Sequence, residues 1–272
     1  AASGSGSGSS STSSFVYTNN KMAAGSGHTC GILDNGDLKC WGLDNLGQLG
    51  DGGTTHTSST IMNTPPSTPI NLGSGRTAVA VDAGDAHTCA ILDNGDLKCW
   101  GSDIIGQLGD GGTISGTTDY TTTPSSTPIN LGAGRTAVAV SAGTSHTCAV
   151  LDNGDLKCWG RDADGQVGDG STSINARSTP SSAINLGTGR TAVAVSAGYA
   201  HTCAILDNGD LKCWGDDAYG QLGNGGTITS DQESPPSTAV DLGTSRTAVA
   251  VSAGWYHTCA ILDNGDLKCW GS

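Results

Sequence analysis

Five nearly identical runs of fifteen residues, each with two cysteines ten positions apart, divide this chain. They read HTCGILDNGDLKCWG from His28, HTCAILDNGDLKCWG from His87, His201 and His257, and HTCAVLDNGDLKCWG from His146. Successive starts lie 59, 59, 55 and 56 residues apart. A period of this length, with one strand-turn-strand signature per unit, marks a solenoid or a propeller. In such arrays a unit buries its apolar face only against its neighbours.

Within the third unit, Thr136–Val140 alternates small and branched residues, Ala142-Gly143 turns, and His146–Leu151 forms a second strand. Asp152-Asn153-Gly154 then closes a hairpin onto a third strand, Asp155–Trp159. A three-residue loop with its glycine in the left-handed region sets Leu151 opposite Asp155, and so Cys148 opposite Cys158. A two-residue loop would instead set Cys148 opposite Trp159; the first register is the one adopted. The same register pairs Cys30 with Cys40, Cys89 with Cys99, Cys203 with Cys213 and Cys259 with Cys269. All ten cysteines are then used. A ten-residue spacing inside a hairpin is no zinc knuckle. Disulfides imply an oxidising compartment, so the chain is expected to be extracellular or at the cell surface. It opens at Ala1 without a methionine, which fits a signal peptide already removed.

A fourth strand is expected in each unit at Ala183–Leu186 and its equivalents, next to Pro69, Pro128, Pro180 and Pro236. Proline suits an outer edge. The innermost strands, Thr77–Val81, Thr136–Val140, Thr191–Val195 and Thr247–Val251, carry the small residues that a crowded axis needs. Aspartate outnumbers glutamate 24 to one, which favours turns over helices, so almost no helix is expected. A net charge of −13 argues against nucleic acid and anionic membranes, and no apolar run is long enough to insert into one.

The run AG-x-x-HTCAILDNGDLKCWG, followed by GQLG at Gly47–Gly50, Gly106–Gly109 and Gly220–Gly223 and by GQVG at Gly165–Gly168, resembles the RCC1-type β-propeller repeat over residues 20–272. The resemblance implies an all-β propeller of four-stranded blades, with blade cores near 18–50, 77–109, 136–168, 191–223 and 247–271. It also implies a protein-binding role. The family includes exchange factors for a nuclear small GTPase and a secreted bacterial β-lactamase inhibitor. This chain departs from the family in having five repeats where seven blades are usual, and in placing cysteine pairs at two apolar strand positions.

Residues 1–14 read as a Ser/Gly/Thr-rich tail, open to O-linked sugar, and 15–272 as the propeller. The last repeat stops after its third strand at Cys269-Trp270-Gly271-Ser272. The strand-like run Phe15-Val16-Tyr17 stands where later units place their fourth strand. That strand is expected to complete the terminal blade, either in its own ring or in a neighbouring molecule. Head-to-tail donation into a filament or coat is the reading adopted, with the chain itself as partner. The alternative is a soluble extracellular binding module that grips a protein or glycan through loops 43–68, 102–127, 161–179 and 216–238. Trp255 and Tyr256 break the repeat where other units carry small residues, and are expected at an interface with Cys269 and Trp270.

The recurrent histidines are expected to hydrogen-bond neighbouring turns. Asp162, Asp164 and Asp169 form the best calcium candidate, though the closing glutamate of a calcium loop is missing. No other cofactor is expected. Five equal copies of a histidine lack the asymmetry of a catalytic centre, so no enzyme activity is expected. His56, Tyr120, Arg161, Arg177 and Tyr219 fall outside the repeat without a further assignment.

Overall fold

A computed structural model describes residues 20–54, 61–112, 119–171, 177–226 and 231–272. Phe15, Val16, Tyr17 and His56 lie outside the described residues. All named elements are strands. Blade 1 is β1 (Met22–Ala24), β2 (His28–Ile32) and β3 (Leu38–Gly42). Blade 2 is β4 (Ala78–Ala83), β5 (His87–Leu92), β6 (Leu97–Ser102) and the two-residue β7 (Tyr120–Thr121). Blade 3 is β8 (Ala137–Ala142), β9 (His146–Leu151) and β10 (Leu156–Gly160). Blade 4 is β11 (Ala192–Ala197), β12 (His201–Leu206) and β13 (Leu211–Gly215), and blade 5 is β14 (Ala248–Ala253), β15 (His257–Leu262) and β16 (Leu267–Gly271). Each is an antiparallel meander.

The hairpins follow from local chemistry. In blade 3 the Leu151 N–H donates to the Asp155 carbonyl at 2.9 Å, and Gly154 turns the chain at φ 81°. Asn153 Oδ1 accepts from the Asp155 N–H at 3.1 Å. This loop places Cys148 opposite Cys158, and the equivalent pairs oppose one another in every blade. All five pairs are bonded, with Cα atoms 4.1 Å apart, the close approach of a non-hydrogen-bonded antiparallel pair.

The outer strand differs from the expected one. The segment at Ile70–Leu72 and its equivalents forms no strand. It touches the third strand through one backbone bond each: Ile70 to Leu38, Ile129 to Leu97, Ile184 to Leu156 and Val240 to Leu211. Proline removes a donor just before it, and just after it Asn71, Asn130, Asn185 and Asp241 each accept from the backbone N–H two residues on. A second point of edge pairing lies further out, at Gly42 with Met62, Gly160 with Arg177, Gly215 with Gln232, and through β7 in blade 2. Lysine fills part of the gap: Lys98 Nζ donates to the Leu72 carbonyl, and Lys212 to Leu186.

Apolar cores sit between blades, one at each of four boundaries. At the first, Cys30, Ile32, Leu38 and Cys40 of blade 1 meet Ala90, Leu92 and Trp100 of blade 2. The same positions meet at the next three boundaries. The disulfides therefore lie on the face that each blade turns to its successor. The five inner strands surround an axial channel of about 490 Å³.

Candidate functional site

The repeated letters of each unit build a four-membered hydrogen-bond relay across each of the four boundaries between successive blades. His28 Nε2 lies 2.8 Å from Thr88 Oγ1, and that hydroxyl donates to the Gln48 carbonyl at 2.8 Å. Trp100 Nε1–H donates to the same carbonyl at 3.1 Å. His87, Thr147, Gln107 and Trp159 repeat the arrangement, as do His146, Thr202, Gln166 and Trp214, and His201, Thr258, Gln221 and Trp270. Because the threonine proton goes to the carbonyl, its oxygen accepts from the imidazole. The histidine is therefore the Nε2–H tautomer. Burial depresses these imidazoles, to about 4 in His28 and His201 and about 3 in His87 and His146, so they stay neutral. The expected turn contact is thus replaced by a bond to the next blade. Threonine and glutamine, which the sequence reading passed over, are its essential members; their recurrence at fixed offsets from each histidine was the available signal.

The boundary between blade 5 and blade 1 lacks this relay. Among the described residues, His257 has no threonine and Trp41 no glutamine carbonyl of this kind. Gly36, Gly95, Gly154 and Gly209 each pack on a threonine of the next blade, whereas Gly265 faces open space. Ile91 and Leu97 are buried, but their equivalents in blade 5, Ile261 and Leu267, are 43% and 66% exposed. Leu33 of blade 1 is 45% exposed where Leu92, Leu151 and Leu206 are buried. Cys269 is exposed and Trp270 half-buried, while Trp100, Trp159 and Trp214 are buried. The two bare faces are opposite halves of the interface that the chain uses four times.

The calcium candidate Asp162, Asp164 and Asp169 is engaged by arginines. Arg177 Nη2 approaches Asp169 at 2.6 Å and Asp162 at 3.6 Å. Asp164 pairs with Arg161. Two guanidinium groups therefore contact all three carboxylates, and no metal-ligand cluster occurs among the described residues. Asp162 Oδ1 instead accepts from the Val167 N–H, a bond that Asp103 makes to Leu108 and Asp217 to Leu222. Burial pushes Asp103 and Asp162 up to about 7.

Trp255 and Tyr256 meet Tyr199 and Tyr219. Ring centroids are 5.8 Å apart for Tyr199 and Trp255, 5.3 Å for Tyr199 and Tyr256, and 4.7 Å for Tyr219 and Tyr256. Of the seven aromatic residues outside the repeat, four converge here. Trp255 is 57% exposed.

Comparison with known proteins agrees with this geometry. The family model described as the regulator of chromosome condensation (RCC1) repeat matches residues 20–48, 78–107, 137–166, 192–221 and 248–272, and a second model of the same repeat matches 35–91, 94–150 and 153–205. The ultraviolet-B receptor UVR8 of Arabidopsis thaliana is 31% identical over 92% of this chain and 52% of its own length. The E3 ubiquitin-protein ligase HERC2 of Homo sapiens is 30% identical over 77% of this chain and 4% of its own. The chain thus spans about half the length of the first relative and a small part of the second. Human WBSCR16 superposes with a TM-score of 0.77 at 21% identity, over 92% of this chain and 61% of that structure. Yeast RCC1 (Prp20), solved bound to Kap60, gives 0.73 at 20% identity, over 92% and 55%. With repeat, strand order and blade stacking in agreement, this chain belongs to the RCC1-repeat family of β-propellers and is a disulfide-bonded variant of it.

Proposed function

We propose that this chain is a non-enzymatic, extracellular structural protein that self-associates head to tail. The five hairpin disulfides support an oxidising location. The observation that carries the reading is the bare seam. Its two faces are complementary, and they differ from each other, so docking one on the other is a heterologous contact that repeats from molecule to molecule.

The backbone pairing between successive blades supports strand donation as the mode of association. In blades 1 to 4 the third-strand carbonyl of Leu38, Leu97, Leu156 or Leu211 accepts from the segment that leads into the next blade. Leu267 is the equivalent residue in blade 5. The proposal assigns the donor role to Phe15-Val16-Tyr17 of a second molecule, the run that precedes β1 in the sequence. Burying Leu267 alone contributes on the order of 1.5–3 kcal/mol.

Negative-stain electron microscopy of the full chain beside a form lacking residues 1–17 tests the proposal. Filaments or ordered oligomers from the first and separate particles from the second support it. Separate particles from both overturn it.

A further inference from the structure

One end of the axial channel opens through a mouth of about 210 Å³, lined by Ser26, Asp85, Thr144 and Trp255 among others. These residues follow the same glycine in successive repeats, with Tyr199 completing the set. Three polar residues and one aromatic residue therefore line a single opening. Mouth and channel are continuous, because Ala24, Ala83, Ala142, Ala197 and Ala253 line both.

The repeats also diverge on the channel wall. Asp82 stands where blades 3, 4 and 5 carry Ser141, Ser196 and Ser252. Its Oδ2 accepts from the Ala142 N–H at 2.8 Å, the bond that Ser141 Oγ makes to Ala197 and Ser196 Oγ to Ala253. A hydroxyl meets that structural need in the other blades, so the extra charge of Asp82 is not required by the fold. Burial pushes its carboxyl up to about 6. No lysine or arginine lines either cavity. The remaining wall is alanine and valine, with Asn20, the serines and Ile205.

Two carboxylates, an apolar wall and an exposed indole at the rim suit a long aliphatic side chain with a positive charge. Anions are disfavoured by both carboxylates and by the net charge of −13. A flat sugar ring is poorly matched to the rim, since Tyr199 is inclined 42° to Trp255 and Tyr256 is 88° to it.

We propose that the mouth and channel bind a single cationic side chain, a lysine presented by a partner protein, with its stem against Trp255 at the rim, its charge held by Asp82 on the channel wall and its entry favoured by Asp85 at the mouth. The proposal does not require self-association, since both carboxylates belong to blade 2. Isothermal titration calorimetry of the full chain with a blocked pentapeptide carrying one lysine among glycines tests it, beside the same peptide with norleucine. The variants are Asp82→Ser with Asp85→Thr, and separately Trp255→Thr, residues that other blades carry at these positions. A single cooperative thermal unfolding transition, at or above the parent's midpoint, verifies folding. The lysine peptide is expected to bind about tenfold more tightly than the norleucine peptide, and that preference is expected to vanish in the double aspartate variant. Equal binding of both peptides, no binding of either, or a preference that survives the double variant overturns the proposal.

Discussion

His201 Nε2 and Thr258 Oγ1 stand 2.9 Å apart across the boundary of blades 4 and 5, and the threonine hydroxyl passes its own proton to the Gln221 carbonyl at 2.8 Å. The equivalent histidine one blade later, His257, is exposed and lacks this partner. The same residue type is thus a sealed structural joint in four blades and an open surface in the fifth. Removing a joint is therefore costly, and altering the seam is cheap until a second molecule docks there.

Thr202→Val is expected to destabilise the chain by about 2–3 kcal/mol. It strands the buried His146 Nε2–H and removes one of two donors from the Gln166 carbonyl. Thr29→Val, at the seam, is expected to change monomer stability by less than about 0.5 kcal/mol. Urea unfolding of both variants checks the contrast; equal losses would contradict the relay.

Replacing Cys148 and Cys158 together by alanine opens a loop of about eleven residues, with an expected loss of about 2–3 kcal/mol through the unfolded state. Both sulfurs are buried, so the vacated volume adds to the loss. Thermal unfolding of this variant measures it. Reduction of the native chain is expected to lower stability further, because five hairpins open at once.

The buried imidazoles make a signed prediction. His146 is held at about 3 in the fold against an ordinary value of 6.5. Between those values the unfolded chain binds a proton that the fold refuses. Stability from this group is thus fully present above about pH 6.5 and declines as pH falls, by about 2 kcal/mol at pH 5. His146→Gln keeps a donor toward Thr202 but cannot titrate. Its unfolding free energy is expected to fall less between pH 7 and pH 5 than that of the parent chain, by about that amount.

Asp82 runs the other way. Its carboxyl is raised to about 6, so the fold holds its proton more tightly than the unfolded chain does. Stability is lost as pH rises from about 4 to about 6. Asp82→Ser, with a hydroxyl to meet the Ala142 N–H, is expected to be more stable than the parent at pH 7. At pH 3 the two are expected to differ little. Urea midpoints at the two pH values decide this.

Much of the fold was legible because every unit repeats the same local instructions. Asn153-Gly154 dictates the loop, the loop dictates that Cys148 faces Cys158, and alternating residues in Ala137–Ala142 make an inner strand. The outer strand was misjudged because Ile184 keeps one backbone bond while Pro180 and the Asn185 turn break the ladder on either side. The ion pairs that engage the calcium candidate Asp162, Asp164 and Asp169 were not legible: Arg177 lies eight residues beyond Asp169, and no local pattern announced that it folds back. The relay was hidden for the same reason, since His146 and Thr202 are 56 residues apart. Tyr199 meets Trp255 only because successive blades stack.

Sedimentation velocity of the full chain across a concentration series, beside Thr29→Arg, tests the central claim most directly. The account predicts concentration-dependent species larger than the 27.0 kDa monomer for the parent chain. It predicts monomer alone for Thr29→Arg, whose guanidinium would meet His257 and Cys259 of its neighbour, the positions that face the equivalent threonine at the other boundaries. A parent chain that stays monomeric throughout, or a Thr29→Arg variant that assembles as the parent does, would contradict it.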